Sequence, residues 1–596
     1  MIRGGLLPRG QHRTIVSRIW DLRRGDHQDN RTSPYVHSFR GIILSAALDF
    51  NYLKASLSFL ALILAPALLL GVAPSVVATY GRLMFHAVTS VGSRPISGLL
   101  MLAVLLGIAL WLGRPLLRMA VNNFWHLHYT LVFPFFVTVR ELLRTVAERI
   151  PGRALAPEQI DRRRRLGTVL TALLLVGCGT ALAMTVEFSL GLQLVNVERV
   201  RPLAVLRAAL LNAAVVLGLS TAFESLYWLW RELSLSPVLD WAPSLPKAQS
   251  PVARVAHLSD LHLVGERYGY RMEAGTHGPQ SNRRVRNALR KLAALHALTP
   301  LDHILVTGDV TDAGTRAEWA EFIDLLRGYP ELRSLLSFVP GNHDVNIVDR
   351  SDAGRIDLPW SAGESLRKLR VVQALDSLQG PRAHLVDHES GALGPSLKDY
   401  LRDGERPDLL RALAKNGSLR GRREMSKVWD ALFPLVEPPT EDNGYGYGLI
   451  LLDSNSRSHF SLTNAVGVVN PSQLRALRSF LQNSAGRAWI ILLHHQLAEY
   501  PLAATSLRDR IGLALINAPD VLTALTPHAS RVIVLHGHRH RDWLGTCGGV
   551  VLCSAPSVTL GSQEGGTHHG TFHVHELALG TGGGIKLLTT EHVNIA

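Results

Sequence analysis

At 596 residues, the chain exceeds one ordinary domain and can bury more than one core. Its net charge of +14 would suit a nucleic-acid or anionic-surface binder, but much of the excess arginine flanks long uncharged runs, a placement that belongs to membrane topology. Three cysteines, Cys178, Cys547 and Cys553, exclude a disulfide framework, and their spacing excludes a zinc knuckle.

The first 54 residues form a basic leader without the early apolar core that a secretory signal needs. Beyond it the spacing predicts a membrane domain over 55–230. Four uncharged or nearly uncharged stretches, 55–79, 95–113, 166–186 and 208–230, each reach the roughly 20 residues that a spanning helix requires. The fourth closes on Tyr227, Trp228 and Trp230, an aromatic belt suited to the membrane interface. Arginine is dense in the leader and in the 114–165 segment, including Arg162 to Arg165, and sparse in the other two connections. The positive-inside rule then places both termini, and everything after Trp230, in the cytoplasm. The expectation is a multi-pass integral protein of a bacterial inner membrane in contact with membrane lipids.

Residues 119–139 are also uncharged but contain Asn122, Asn123, His126 and His128, and read as an aromatic-rich helix lying at the interface. Glu187 and Glu224 fall near span ends, where water is close, so no ion pathway is expected through the bundle. A proline- and serine-rich connector follows over 231–251.

From residue 252 to 596 the pattern changes to short apolar β-type runs, each ending in polar residues and separated by helical stretches. This is an α/β sheet with its site at the strand ends. ARVAHLSDLHL ends at Asp260 and His262, and DHILVTGDVTD at Gly308 and Asp309. LLSFVPGNHDV ends at Asn342, His343 and Asp344, WIILLHHQ at His494 and His495, and RVIVLHGHRH at His538 and His540. Carboxylate, imidazole and amide oxygens together suit a divalent ion such as Mn, Fe or Zn. Any one such tip occurs by chance; five in order do not.

The order D-x-H, G-D, G-N-H-D, H-H and G-H-x-H resembles the calcineurin-like metallophosphoesterase family, and GLILLDSNS, NPSQLRALRSFL and CSAPSVTLG resemble its class III cyclic-nucleotide phosphodiesterase branch. The resemblance implies a four-layer α/β/β/α sandwich behind an α-helical transmembrane bundle. It also implies two divalent metal ions. One would be held by Asp260, His262 and His540, and the other by Asn342, His494 (rather than His495) and His538, with Asp309 bridging. A hydroxide shared by the ions would attack the phosphorus and break a P–O bond. His343 would protonate the leaving oxygen or stabilise charge there, with Asp344 fixing its tautomer.

His257 reads as a supporting residue. His303, His536, His568, His569, His573 and His575 read as surface or strand positions without a catalytic task. The 345–443 stretch departs from a minimal version of the fold, either as a cap near the site or as a peripheral insertion.

The function so implied is a membrane-anchored phosphodiesterase acting on a phosphate ester, either a cyclic nucleotide or a phospholipid-related molecule. The same metal site serves phosphomonoesterases and phosphoprotein phosphatases. A catalytically silent sensor or scaffold would be marked by a missing ligand, and none is missing. Nucleic acid is not an expected partner, because no basic stripe interleaved with stacking aromatics appears in this half.

Overall fold

The chain divides into two compact units, Asn51–Ser234 and a second that includes Leu235–Ala596. The computed structural model describes residues 52–149, 157–190, 202–242, 252–265, 281–348, 355–439, 446–500, 515–560, 570–580 and 582–595. The predicted leader, apart from its last residues, therefore lies outside the described residues, as do the later half of the connector and His568 and His569.

Four helices of the first unit are long and apolar enough to cross a membrane: Leu53–Ser93, Pro95–Glu148, Gln159–Glu187 and Pro202–Leu233. Each contains one predicted span and runs past it. They expose large apolar side chains, among them Ile96, Leu110, Trp111, Leu203 and Phe223, as surfaces solvated by hydrocarbon would.

Residues 119–139, expected as an aromatic-rich interfacial helix, are helical and continuous with the second long helix. The helix Pro95–Leu127 continues through a π-helical turn at His128–Val132 into Phe133–Arg149. Its polar residues are met in two ways: Asn123 Nδ2 donates to the Met119 carbonyl of its own helix at 2.8 Å, and buried His128 pairs with Glu224. Glu224 therefore faces a cation-capable partner as well as the water expected at a span end.

Charge inside the bundle is also more extensive than the sequence suggests. Arg140, Glu141, Arg144 and Arg164 are all buried. Arg140 Nε and Arg144 Nη1 donate to Glu141 Oε1 at 2.8 and 3.2 Å, Arg144 also pairs with Glu232, and Arg164 Nε donates to Glu148 Oε1 at 2.8 Å. Pairing of this kind is what makes buried charge tolerable.

In the second unit the strands form two sheets. A five-stranded sheet runs in the order β14 (Gly584–Ile595), β13 (Gly570–Gly580), β2 (Val252–Leu258), β3 (His303–Val306) and β4 (Leu336–Phe338). A nine-stranded sheet runs β1 (Val238–Asp240), β11 (Trp543–Cys547), β12 (Val550–Ser554), β10 (Val532–His536), β9 (Ala488–Leu492), β8 (Tyr447–Leu451), β7 (Leu435–Glu437), β5 (His384–Val386) and β6 (Leu393–Ser396).

β2, β3 and β4 are mutually parallel, as are β8, β9, β10 and β12. Such strands are buried on both faces and so read as unbroken apolar runs. In β9, Ile490 and Leu492 join the core shared with Val255, Ile304 and Phe338 of the other sheet. Trp489 and Ile491 point the opposite way, into a second core with the helices Pro471–Asn483 and Ala518–Leu525. The helices Arg283–Leu298 and Arg316–Arg327 contribute to the first core. The result is the expected α/β sandwich.

Two stretches belong more closely to this fold than the sequence implies. Within the connector, Val238–Asp240 is a strand, pairing antiparallel with β11 from Val238↔Cys547 to Asp240↔Gly545. Within 345–443, β5, β6 and β7 extend the edge of the nine-stranded sheet, and the helix Gly363–Gln379 buries Leu366, Leu369, Val372 and Leu375 in the first core. Local polarity conceals both, because pairing with distant strands supplies their hydrogen bonds.

In the first unit, two glycines let the third and fourth long helices touch. A Cβ on Gly179 would lie 2.4 Å from the Gly218 carbonyl oxygen, and one on Gly218 would lie 2.8 Å from the Gly179 carbonyl oxygen. Small-residue contacts of this sort let helix backbones approach in lipid. Gly218→Leu should destabilise the bundle by about 1–3 kcal/mol through overpacking, read as a lower melting transition of the detergent-solubilised chain. Gly107→Leu, at a position facing open space, should leave the transition unmoved.

Candidate metal centre

Five non-glycine residues among those described have positive φ: Asp260 (53°), His262 (42°), Asp309 (49°), His538 (71°) and His540 (49°). Left-handed backbone costs an L-residue about 1–2 kcal/mol and clusters where function demands a particular side-chain aim. All five follow directly from parallel strands β2, β3 and β10, at their C-terminal ends. The ladder continues past the strands to hold them: Asp260 N–H donates to the Gly308 carbonyl at 3.1 Å, His262 N–H to the Asp309 carbonyl at 2.9 Å and Leu263 N–H to the Val310 carbonyl at 3.0 Å.

These turns aim two sets of donor atoms at two points. In the first, His540 Nε2 lies 3.1 Å from Asp260 Oδ1, His262 Nε2 lies 3.4 Å from His540 Nε2 and 3.8 Å from Asp260 Oδ1. In the second, His494 Nε2 faces His538 Nδ1 at 3.0 Å, Asn342 Oδ1 at 3.2 Å and Asp309 Oδ2 at 3.3 Å. The same Asp309 oxygen is 3.9 Å from His262 Nε2, so it stands between the two sets.

Imidazole nitrogens and carboxylate oxygens facing one another at these separations match the edges of a coordination shell with ligand bonds of about 2.0–2.2 Å. The donor set fits a pair of divalent ions. Every metal-ligand candidate read from the sequence is brought here, and of the adjacent pair it is His494 that reaches Asp309 and Asn342. His495 is turned aside, its Nδ1 2.8 Å from Ser454 Oγ and its Nε2 3.2 Å from the Ala465 carbonyl.

Two motif glycines are required by close approach. A Cβ on Gly341 would sit 2.1 Å from Asp309 Oδ1, and one on Gly537 1.7 Å from Ser259 Oγ and 2.6 Å from Asp260 Oδ2. His538 N–H then donates to Asp260 Oδ2 at 3.0 Å, locking the β10 loop to the β2 loop.

The charges are matched to this crowding. Burial opposes ionisation of Asp260, but neighbouring His540 outweighs it and brings the carboxyl down to about 2. Burial likewise opposes a proton on His494, and Asp309 outweighs it, raising the imidazole to about 9. His538 is held well below the usual range by burial and by His495 and His494.

Two sites of support differ from expectation. Asp344 does not set the His343 tautomer: its carboxylate accepts from the amides of Gly341 (2.9 Å), Val310 (3.2 Å) and Thr311 (2.9 Å) and from the Thr311 hydroxyl (2.7 Å). It clips the β3 and β4 loops together. Asp312 takes the other role. His343 Nδ1 donates to its backbone carbonyl at 2.6 Å, which puts the ring proton on Nδ1, while Asp312 Oδ1 lies 3.4 Å from His262 Nδ1. Asp312 lies three residues after Asp309 in the same motif, and a carboxylate behind a ligating histidine is a common arrangement. The spacing was the only available signal. Thr307 was likewise not anticipated; its carbonyl accepts from His494 Nδ1 at 2.8 Å, leaving Nε2 to face the centre.

Residues 253–542 match the family described as calcineurin-like phosphoesterase. A protein of Coxiella burnetii named a probable cyclic nucleotide phosphodiesterase is 29% identical over 98 residues, 16% of this chain and 34% of that protein; the chain thus spans about a third of that relative's length. A dimetal phosphatase from Danio rerio aligns with a TM-score of 0.33 and 15% identity, covering 58% of this chain and 100% of that one. Purple acid phosphatase from yellow lupin seeds (Lupinus luteus) aligns at 0.31 and 12%, covering 59% and 55%. The matched residues contain every strand end described above, and the chain carries, over residues 253–542, a calcineurin-like phosphoesterase domain, a metal-dependent hydrolase of phosphoesters.

Proposed function

We propose that this chain is a membrane-anchored phosphodiesterase with a dinuclear centre. Asp260, His262 and His540 would hold one ion and Asn342, His494 and His538 the other, with Asp309 placed to serve both. The observation that carries the reading is the position of Asp309 Oδ2 between the two donor sets, 3.3 Å from His494 Nε2 and 3.9 Å from His262 Nε2. Bound divalent ions (Mn, Fe or Zn) supply Lewis acidity to phosphoryl oxygens and an acidified water.

The chain's own groups do the rest. His343 borders the centre, its ring centroid 4.6 Å from that of His262, and its side chain is partly open to solvent. Its backbone N–H donates to Asp309 Oδ1 at 2.8 Å, fixing the ring beside the bridge. With one proton on Nδ1, Nε2 is the nitrogen that takes up a second proton and gives it to a leaving alkoxide. Asp312 is a positioning residue for both His262 and His343.

A diester is favoured by the likeness to the cyclic-nucleotide branch, which the Coxiella protein's name also carries. Cyclic nucleotides and phospholipid-related diesters are the candidate substrates. Anchoring rests on the four long apolar helices and cytoplasmic placement on the arginine distribution. A reporter active only outside the cytoplasm, fused after Trp230, is expected to stay silent; its activity would reverse that placement.

The test of activity uses the metal-loaded full chain in detergent. Bis(p-nitrophenyl) phosphate should turn over faster than p-nitrophenyl phosphate, and the reverse ranking would make the protein a monoesterase. Asp309→Ala should lower turnover about 100–1,000-fold, in line with the loss of a group that organises transition-state charge. Full turnover in that variant would remove Asp309 from the bridge.

Asp312→Asn should lower metal affinity or activity about 10–100-fold, as loss of such a supporting carboxylate generally does. Metal content and the pH–rate profile read that change, and circular dichroism should stay unaltered.

A further inference from the structure

A second convergence of imidazoles lies on the five-stranded sheet. His573 of β13 sits directly opposite His592 of β14 on one side and His257 of β2 on the other. Directly opposed residues share a face of a sheet, and so does His575, two positions along β13. Four histidines therefore stand together across three strands.

Asp542, in the loop that follows His540, reaches over this row. Its Oδ1 lies 3.2 Å from His573 Nε2 and its Oδ2 2.7 Å from His592 Nδ1. The ligand-capable atoms of Asp542, His573 and His592 all fall within 4.8 Å of one another. His573 is fully buried, whereas the side chains of Asp542 and His592 are 34% and 46% exposed, so the cluster is walled by protein behind and open to solvent in front.

A simple Asp–His pair accounts for His592, whose Nδ1 lies 2.7 Å from Asp542 Oδ2. It does not account for His573. That imidazole is fully buried, and its Nδ1 finds no hydrogen-bond partner among the described residues. A buried imidazole and a solvent-facing one, both turned toward the same carboxylate, offer the donor set that a metal ion takes up.

We propose that Asp542, His573 and His592 bind a third divalent ion, zinc by its donor chemistry. Two imidazoles and one carboxylate suit zinc, whose bonds of about 2.0–2.2 Å give donor separations near those observed. Solvent fills the fourth position. The ion would tie the loop bearing His538 and His540 to the neighbouring strands β13 and β14, so its role is structural, holding that loop in its left-handed conformation. It does not depend on the assignment of the dinuclear centre, because it shares no ligand with it.

The test strips the full chain with a chelator, reloads it with zinc, removes unbound metal and counts bound zinc by mass spectrometry. Wild type should retain one equivalent more than His592→Gln and one more than Asp542→Asn. Both positions are partly exposed, so both variants should fold, and circular dichroism checks this. Cobalt in place of zinc should give wild type a visible absorption component that both variants lack. Three equivalents falling to two supports both metal readings, and two falling to one supports this site while counting against the dinuclear centre. Equal zinc content and equal cobalt spectra in wild type and both variants would overturn the proposal.

Discussion

Left-handed backbone at Asp260, His262, Asp309, His538 and His540 is the constraint from which the rest of the site follows. At about 1–2 kcal/mol each, five such residues cost an amount comparable with the whole stability of many domains, about 5–15 kcal/mol. Strain of that size persists only where the surroundings determine the conformation several times over. Here they do: amides of the β2 loop donate to carbonyls of the β3 loop, Asp344 clamps the β3 and β4 loops, and Asp260 accepts from the β10 loop. In return, side chains that would point away along regular strands turn inward together.

That constraint also explains why the site could be read from sequence. Parallel strands buried on both faces must be apolar throughout, so each motif stands out as a polar tip on an apolar run, as in HILVTGD and IILLHH. The metal-ligand candidates and the sandwich were therefore legible. Asp312 was less so, because its placement behind His262 and beside His343 depends on how the β3 loop bends. The role given to Asp344 followed from adjacency in sequence, whereas the helical turn at Asn342–Val345 carries its carboxylate back to the Gly341 amide and away from the neighbouring ring.

The features that sequence left hidden share one cause: their partners are far along the chain. His257 and His573 become neighbours only through the register of β2 with β13. Val238–Asp240 looks like linker until β11 pairs with it. In the first unit, His128 looks like an interfacial polar residue and Glu224 like a span-end carboxylate; their pairing needs two helices to be set side by side. Periodicity reports the environment of a residue and not the identity of its partner.

The β10 loop shows how these levels combine. Gly537 lets it pass against Ser259 and Asp260, the His538 amide fastens it to Asp260, and His538 and His540 face different donor sets from two residues apart. A loop so loaded is held on its inner side by the carboxylate it serves. Its outer side is held by Asp542, which reaches His573 and His592 on strands that supply no residue to the centre itself. The antiparallel pair β13–β14 thus reaches the site through a loop, adding an outer contact at Asp542 to the inner one that Asp260 makes with the His538 amide.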